Sequence, residues 1–243
     1  MTNLFFFGVN TNWPRPTPSQ HIDGGVGGDV YEWNYSDLNN DGLYDYVVFS
    51  GEFGAETPSE ETSLGVFLNT GPGGFQYQAG VIDDHLGGLQ PRKLEIVDLN
   101  NDGIKDFVIA DHVYDLPPFP GAYPRVFLSN NGQLSWTDRT ALFDGIKGFH
   151  HAVSISDFNG DGFNDLFFTD TGIFLNSAGT DFRLDNSAIA NTTILSRPIY
   201  TSEISDVDRD GYADLVVAGH EFQGAETKIY WGSSSGNFNE DNA

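Results

Sequence analysis

Short apolar runs separated by turn residues recur along the chain, and no stretch has the periodicity of a long amphipathic helix. Four such runs, at 93–97, 106–110, 125–129 and 133–137, have strand length and are rich in β-branched and aromatic residues. The third of them has counterparts at 66–69, 173–176 and 229–232. This pattern predicts an all-β protein built from repeated units of four strands.

An aromatic residue follows the third strand of each unit, after a turn of Gly, Ser and Asn residues. These aromatics are Phe75, Trp136, Phe182 and Phe238. They mark the predicted fourth strand of each unit. Four short strands at a period of about 50 to 60 residues are typical of a β-propeller blade. A parallel β-helix is the alternative, but its rungs are shorter.

One polar motif, D-x-[DN]-x-D-G-x-x-D, precedes the second strand of every unit and begins at Asp37, Asp98, Asp157 and Asp206. Its alternate positions offer carboxylate or amide oxygens, which are the ligands that Ca²⁺ prefers, and its glycine allows a sharp turn. An EF-hand would place a bidentate Glu at position 12 between two helices. Here position 12 is apolar and lies in a predicted strand, so the motif predicts a calcium-binding β-hairpin.

The sequence predicts up to four Ca²⁺ ions, held by the side chains at motif positions 1, 3, 5 and 9 and the backbone carbonyl at position 7. The alternative is four Asx-rich turns without metal. The predicted ligands are Asp37, Asn39, Asp41, Leu43, Asp45, Asp98, Asn100, Asp102, Ile104, Asp106, Asp157, Asn159, Asp161, Phe163, Asp165, Asp206, Asp208, Asp210, Tyr212 and Asp214.

A second recurring pattern supports a family resemblance. Phe-Gly-Ala at 53–55 has looser counterparts at 119–122 and 222–225, each in the loop before a third strand, whereas the third unit lacks it. With the four acidic motifs, the chain resembles the FG-GAP/VCBS family over residues 29–239. That family includes the head of integrin α subunits. The resemblance implies a β-propeller of four-stranded antiparallel blades with calcium in its loops.

The predicted blades are approximately 29–80, 92–138, 150–185 and 199–239, within a repeat region of 29–243 that follows an N-terminal segment, 1–28. The resemblance implies seven blades, but only four are visible. The chain is therefore expected to form either a small closed ring or part of a seven-bladed propeller. Residues 4–8 resemble a third strand and are a candidate for closing the ring.

The composition excludes several classes of function. With 11 Lys and Arg against 35 Asp and Glu, the formal net charge is −24, which argues against nucleic acid and anionic membrane surfaces as partners. The chain has no cysteine, so disulfides and zinc–thiolate sites are excluded. No membrane insertion is expected, because no apolar run approaches membrane-spanning length. No signal peptide is recognisable, yet calcium loops of this type favour an extracellular or cell-surface location.

In a blade of this topology the calcium loops share one face, and the loops at 51–64, 111–124 and 219–227 share the opposite face. The loop 111–124 combines three aromatic residues with a histidine, acids and prolines, a mixture that suits sugar rings. The alternative is a proline-stiffened packing loop. The candidate ligand-binding residues are Asp111, His112, Tyr114, Phe119, Tyr123 and His220.

Catalytic signatures are missing from the sequence. It contains no H-E-x-x-H, G-x-S-x-G, P-loop or Rossmann motif, and no catalytic residue is predicted. The favoured function is a calcium-stabilised, non-enzymatic propeller that binds an extracellular protein or glycan. One alternative is a polysaccharide-active enzyme or accessory domain. The other is an architectural segment whose partners are further copies of itself or the remaining blades of a larger chain.

Overall fold

The computed structural model describes residues 29–51, 62–82, 90–113, 117–130, 133–143, 145–196, 199–219 and 226–238. Within these residues fifteen strands form four antiparallel sheets, each arranged in chain order. The sheets are the blades of a four-blade β-propeller arrangement, which confirms the predicted fold class. No helix long and apolar enough to cross a membrane lies within these ranges.

The strands of each blade follow one another along the chain. Blade 1 contains β1 (Asp29–Ser36), β2 (Asp45–Gly51), β3 (Thr62–Asn69) and β4 (Phe75–Tyr77). Blade 2 contains β5 (Pro91–Val97), β6 (Asp106–Asp111), β7 (Arg125–Asn130) and β8 (Gln133–Asp138). Blade 3 contains β9 (Val153–Ser156), β10 (Asp165–Phe168), β11 (Gly172–Asn176) and β12 (Phe182–Leu184). Blade 4 contains β13 (Ile199–Ser205), β14 (Asp214–Gly219) and β15 (Lys228–Tyr230). Short 3₁₀ helices lie at Gly71–Gly73, Thr140–Phe143, Ser187–Ile189 and Ile194–Ser196.

Blade 4 departs from the four-strand prediction, because its described residues form only three strands. Phe238, the predicted marker of the fourth strand, is buried but unpaired with β15. Its backbone N–H instead donates to the carbonyl of Ala188, between blades 3 and 4, at 2.7 Å. The preceding residues turn at Gly236, which has a φ of +69°. The candidate ring-closing strand at 4–8 lies outside the described residues.

The second strands of blades 2 and 3 pack on both faces, which explains their continuous apolar sequences. In β6, Phe107 and Ile109 join the core between blades 1 and 2, whereas Val108 and Ala110 join the core between blades 2 and 3. Successive side chains of a strand point to opposite faces of its sheet, so a blade between two neighbours needs apolar residues at every position. A third core lies between blades 3 and 4 and includes Phe167.

The first strand of each blade lies on the inside of the ring. Asn34 of blade 1 donates to the carbonyl of Leu94 in blade 2 at 2.8 Å. The hydroxyls of Ser154 and Ser202 join blades 3 and 4 at 2.7 Å. Lys93 of blade 2 reaches blade 4 directly, where Nζ donates to the carbonyl of Ser202 at 3.0 Å. One lysine side chain therefore spans the centre, which fits a ring of few blades.

Candidate metal loops and the opposite face

The four acidic loops share one internal hydrogen-bond pattern. The carboxylate at motif position 1 accepts the backbone N–H groups of positions 5 and 6. In the first loop, Asp37 accepts from Asp41 at 3.1 Å and from Gly42 at 2.9 Å. The same pair of bonds recurs in the other three loops. The motif therefore specifies one loop conformation that is repeated four times.

Two positions of each loop adopt left-handed backbone conformations. Position 6 has a φ between +86° and +94° and is glycine in every copy. A side chain there would be strained, which confirms the role predicted for this glycine. Position 4 is also left-handed, at Asn40, Asn101 and Gly160, residue types that tolerate this region. In the fourth loop the same position is Arg209, at a φ of +66°.

The exposed part of each loop offers a hard-oxygen donor set. In the fourth loop, one carboxylate oxygen from each of Asp206, Asp208 and Asp210 lies within 4.8 Å of the others. In the first three loops the middle residue is Asn39, Asn100 or Asn159. Carboxylate and amide oxygens gathered in one exposed turn fit Ca²⁺. The side chains at positions 1, 3 and 5 would hold the ion, and its charge would offset the repulsion among the carboxylates.

The aspartate at position 9 has a second role that the sequence did not predict. Asp45, Asp106, Asp165 and Asp214 are all buried at the start of a second strand. In each, one carboxylate oxygen accepts the N–H of motif position 2, and the other accepts the N–H of a residue near the end of the third strand, at 2.7 to 2.9 Å. This aspartate therefore joins the acidic loop, the second strand and the third strand of its own blade, an arrangement that we call the clasp. The sequence did contain a signal for this role. An acid stands at the start of a fully apolar strand, where a buried carboxylate needs hydrogen-bond partners.

Burial disfavours the charged form of two of these carboxyl groups, those of Asp106 and Asp165. It raises the pKa of Asp106 to about 6, against the opposing effect of the backbone N–H donors of Ser129 and Leu99. The pKa of Asp165 is likewise raised to about 6, first by burial, with a smaller contribution from the loop acids Asp161 and Asp157. The charged form of each carboxylate is therefore costly in the metal-free loop.

The loops of blades 2 and 3 touch one another on a single face of the ring. The side chain of Asn101 donates to the carbonyl of Gly162 at 3.0 Å, and that of Asn164 donates to the carbonyl of Asp98 at 3.2 Å. Asn176 extends the contact by donating to the carbonyl of Leu99 at 2.7 Å. These bonds place the two loops side by side, as the blade topology predicted.

On the opposite face, the loop between β6 and β7 approaches the segment that links blades 2 and 3. Ala122 and Gly148 exchange backbone hydrogen bonds at 2.9 and 3.0 Å. The N–H of His150 lies 3.3 Å from the carbonyl of Asp111. Within this loop Val113 and Phe119 have φ values of +69° and +54°, which is unfavourable backbone geometry for such residues. Strain of this kind is often held at binding sites.

The structure divides the predicted ligand-binding residues into buried and exposed groups. Asp111 and His112 are fully buried, whereas Phe119 and Tyr123 are 52% and 40% exposed. Asp111 accepts the backbone N–H groups of Gln90 and Val113 through Oδ1. Phe119 and Tyr123 are therefore available to a ligand, and Asp111 and His112 support the loop from below. Tyr114 and His220 lie outside the described residues.

Four aromatic or imidazole rings form a row across this face, which we call the ring row: Phe119, Phe149, His151 and Tyr200. Successive centroids are 5.8, 5.2 and 4.0 Å apart. The row begins in the loop of blade 2, crosses the link before blade 3 and ends at the first strand of blade 4. His112 stacks beneath Phe149, at 4.2 Å and 10° between the planes.

Sequence reasoning did not identify Phe149, His151 or Tyr200 as candidate ligand-binding residues. The only local signal was the run Phe149-His150-His151 at the start of a blade. Tyr200 carries no local signal, because it is one of several exposed positions along β13. Its place beside His151 depends on how blades 3 and 4 pack.

The two buried histidines are held in their neutral form. The pKa of His112 is lowered to about 3, first by burial and then by the guanidinium of Arg92, whose Nε donates to His112 Nε2. Burial also lowers the pKa of His150. Asp111 Oδ2, His112 Nδ1 and His150 Nε2 have no hydrogen-bond partner in the structure, although all are buried.

A family model for the FG-GAP-like repeat matches residues 37–109 and 98–168, which together make up more than half of the chain. Each match begins on an acidic loop and ends within or at the end of the second strand of the following blade. A search of curated proteins finds no significant match. The matched repeats coincide with the blades and loops of the structure, and the chain belongs to the FG-GAP-like repeat family.

Proposed function

We propose that this protein is a calcium-stabilised, non-enzymatic β-propeller that binds an extracellular protein or glycan through the face opposite its calcium loops. The four loops supply rigidity, and the opposite loops supply recognition. The proposal starts from the finding that the chain contains FG-GAP-like repeats that form a propeller.

The repeated geometry of the four loops is the observation that carries the proposal. At positions 1, 3 and 5 each loop gathers two or three carboxylates, and backbone N–H groups hold those at positions 1 and 5 in the same way in every loop. A turn by itself does not need carboxylates at alternate positions, so their fourfold repetition favours a cation. Carboxylates this close repel one another, and a divalent ion would reverse that effect.

The opposite face supports binding better than catalysis. A general base works best when its pKa lies near the working pH, whereas the pKa of His112 is about 3. His112 is also buried and already accepts a hydrogen bond from Arg92. By contrast, Phe119, Tyr123 and Tyr200 expose large apolar surface beside polar groups, which is typical of recognition sites.

The location follows from the affinity expected of such loops. Extracellular calcium modules often bind with Kd values of about 10⁻⁴ to 10⁻³ M. Such sites fill at the calcium concentration outside cells and stay nearly empty in cytosol. An extracellular or cell-surface location is therefore part of the proposal.

A calcium titration of the full chain by isothermal calorimetry tests the metal assignment. We expect up to four sites, and Asp102→Ala should lose one while the others remain. Asp138→Ala, which removes an acid outside the loops, is the matched control and should keep every site. Full stoichiometry in Asp102→Ala would show that the predicted ligands are wrong.

A further inference from the structure

We propose that the ring row binds a neutral glycan chain laid across blades 2, 3 and 4. This inference deepens the proposed function and rests on it, since it names the ligand class of the face opposite the calcium loops. The row consists of Phe119, Phe149, His151 and Tyr200, as defined above.

The exposure of the row suits an extended ligand. Its two ends, Phe119 and Tyr200, are 52% and 36% exposed, whereas Phe149 and His151 between them are half-buried. The ring faces change direction along the row, from 87° between Phe119 and Phe149 to 39° between His151 and Tyr200. A chain of rings with apolar faces can contact such a row at several points, as sugar rings do on aromatic side chains.

Polar groups of both signs flank the row. Arg92 is exposed, and its Nε already donates to His112. Asp170, also exposed, accepts the backbone N–H of Phe149 at 2.9 Å and so lies beside the backbone of that residue. A sugar hydroxyl both donates and accepts hydrogen bonds, so a donor such as Arg92 and an acceptor such as Asp170 near the row both suit its hydroxyl groups.

The layer beneath the row contains buried polar atoms that have no hydrogen-bond partner. His112 Nδ1, His150 Nε2 and Asp111 Oδ2 are buried without partners. Leaving such a group unpaired costs about 1–3 kcal/mol in general, so buried polar atoms are nearly always satisfied by protein, water or ligand. These atoms lie in residues that touch or directly support the row.

The net charge of the protein favours a neutral glycan over an acidic one. The chain carries a net charge of −24, so an anionic polymer would be repelled over the range of the screened field. A neutral glycan is not repelled in this way.

Binding to a panel of neutral hexasaccharides, built on glucose, xylose, mannose or N-acetylglucosamine, tests the proposal. The full chain is titrated in millimolar calcium, with a galacturonic acid hexamer as the acidic probe. We expect one neutral probe to bind, with affinity lowered about tenfold or more by Tyr200→Ala and by Phe119→Ala. Tyr44→Ala, which removes an exposed ring from the calcium-loop face, should change affinity less than twofold.

Three results would overturn the proposal: no binding by any neutral probe, salt-sensitive binding of the acidic probe alone, or neutral binding that both ring-row variants leave unchanged. A thermal melt of each variant with and without calcium accompanies the titration. A variant that keeps the calcium response but loses the glycan is folded, so its loss is specific. If calcium stabilises the protein and no glycan binds, the glycan inference fails while the calcium part of the proposed function stands.

Discussion

The carboxylate of Asp106 accepts the backbone N–H of Ser129 at 2.7 Å, so the first residue of β6 holds the end of β7. Its other oxygen accepts the N–H of Leu99 in the acidic loop, at 2.8 Å. One buried side chain therefore joins the loop, the second strand and the third strand of blade 2. The three other blades repeat this arrangement with Asp45, Asp165 and Asp214.

Replacing Asp106 by alanine should therefore destabilise the protein even when no calcium is present. The substitution leaves two buried N–H groups without acceptors, and we expect a loss of about 3 kcal/mol in the free energy of unfolding. Asp102→Ala removes an exposed carboxylate from the same loop and should cost less than about 1 kcal/mol under the same conditions. Urea unfolding in excess EGTA measures both. Equal losses in the two variants would contradict the clasp.

Arg209 offers a test of the loop conformation itself. It occupies the left-handed position that is Asn40 in the first loop. Because asparagine tolerates this region better than arginine, Arg209→Asn should stabilise the protein by about 0.5–1 kcal/mol. The reciprocal change, Asn40→Arg, should destabilise it by a similar amount. Thermal melts in calcium would show opposite shifts, and shifts of the same sign would rule out the conformational explanation.

Glu32 gives the inner strands a pH dependence. Burial, and then the charge of Glu95, raise its pKa from 4.5 to about 7, although Lys93 opposes the shift. A raised folded-state pKa contributes stability that is fully present below pH 4.5 and lost as pH rises through about 7.

Glu32→Gln removes the cost of burying a charged carboxylate. We expect the free energy of unfolding of the variant to exceed that of the parent by about 1 kcal/mol at pH 8, after allowance for solvent screening, and to match it at pH 4. Glu226→Gln, which changes an exposed acid, is the control. Denaturant unfolding at the two pH values measures the difference, and a gain that is the same at both would refute the assignment.

His112, on the face opposite the acidic loops, makes the stability of the protein depend on pH in the opposite direction. Its pKa is lowered from 6.5 to about 3 by burial and by Arg92, so the stability it contributes is present above pH 6.5 and lost as pH falls towards 3. NMR titration of the histidine rings should find His112 neutral down to about pH 4. His112→Gln identifies its signals. A midpoint near 6.5 would mean that the ring is not enclosed as described.

Local patterns were sufficient to predict the blades. The run 106–110 reads as a strand because both of its faces are buried, and the glycine of each loop marks a turn that needs a left-handed residue. The failures depend on contacts between distant residues. Phe238 bonds to Ala188 instead of β15, and Tyr200 reaches His151 across a blade boundary. No local pattern records which blade a side chain will meet.

In the candidate site, too, local features could be predicted from the sequence, whereas contacts between distant residues could not. The acidic loops could be located from the sequence, because all motif positions lie within one short segment, and their assignment as calcium ligands stays a prediction. The clasping role of Asp106 depends on Ser129, which is distant in sequence, so it appears only in the fold. On the opposite face, Phe119 and Tyr123 were predicted from composition, whereas the burial of His112 follows from its stacking on Phe149.

The most direct test of the central claim is a thermal melt of the full chain in millimolar calcium, repeated in excess EGTA and in magnesium. Each calcium site at about tenfold excess over Kd should add about 1.4 kcal/mol to the folded state. We therefore expect the melting temperature to rise by about 5 °C or more with calcium. Magnesium should have little effect. An unchanged melt would mean that the four loops are metal-free turns, and it would contradict the calcium-stabilised propeller proposed for this protein.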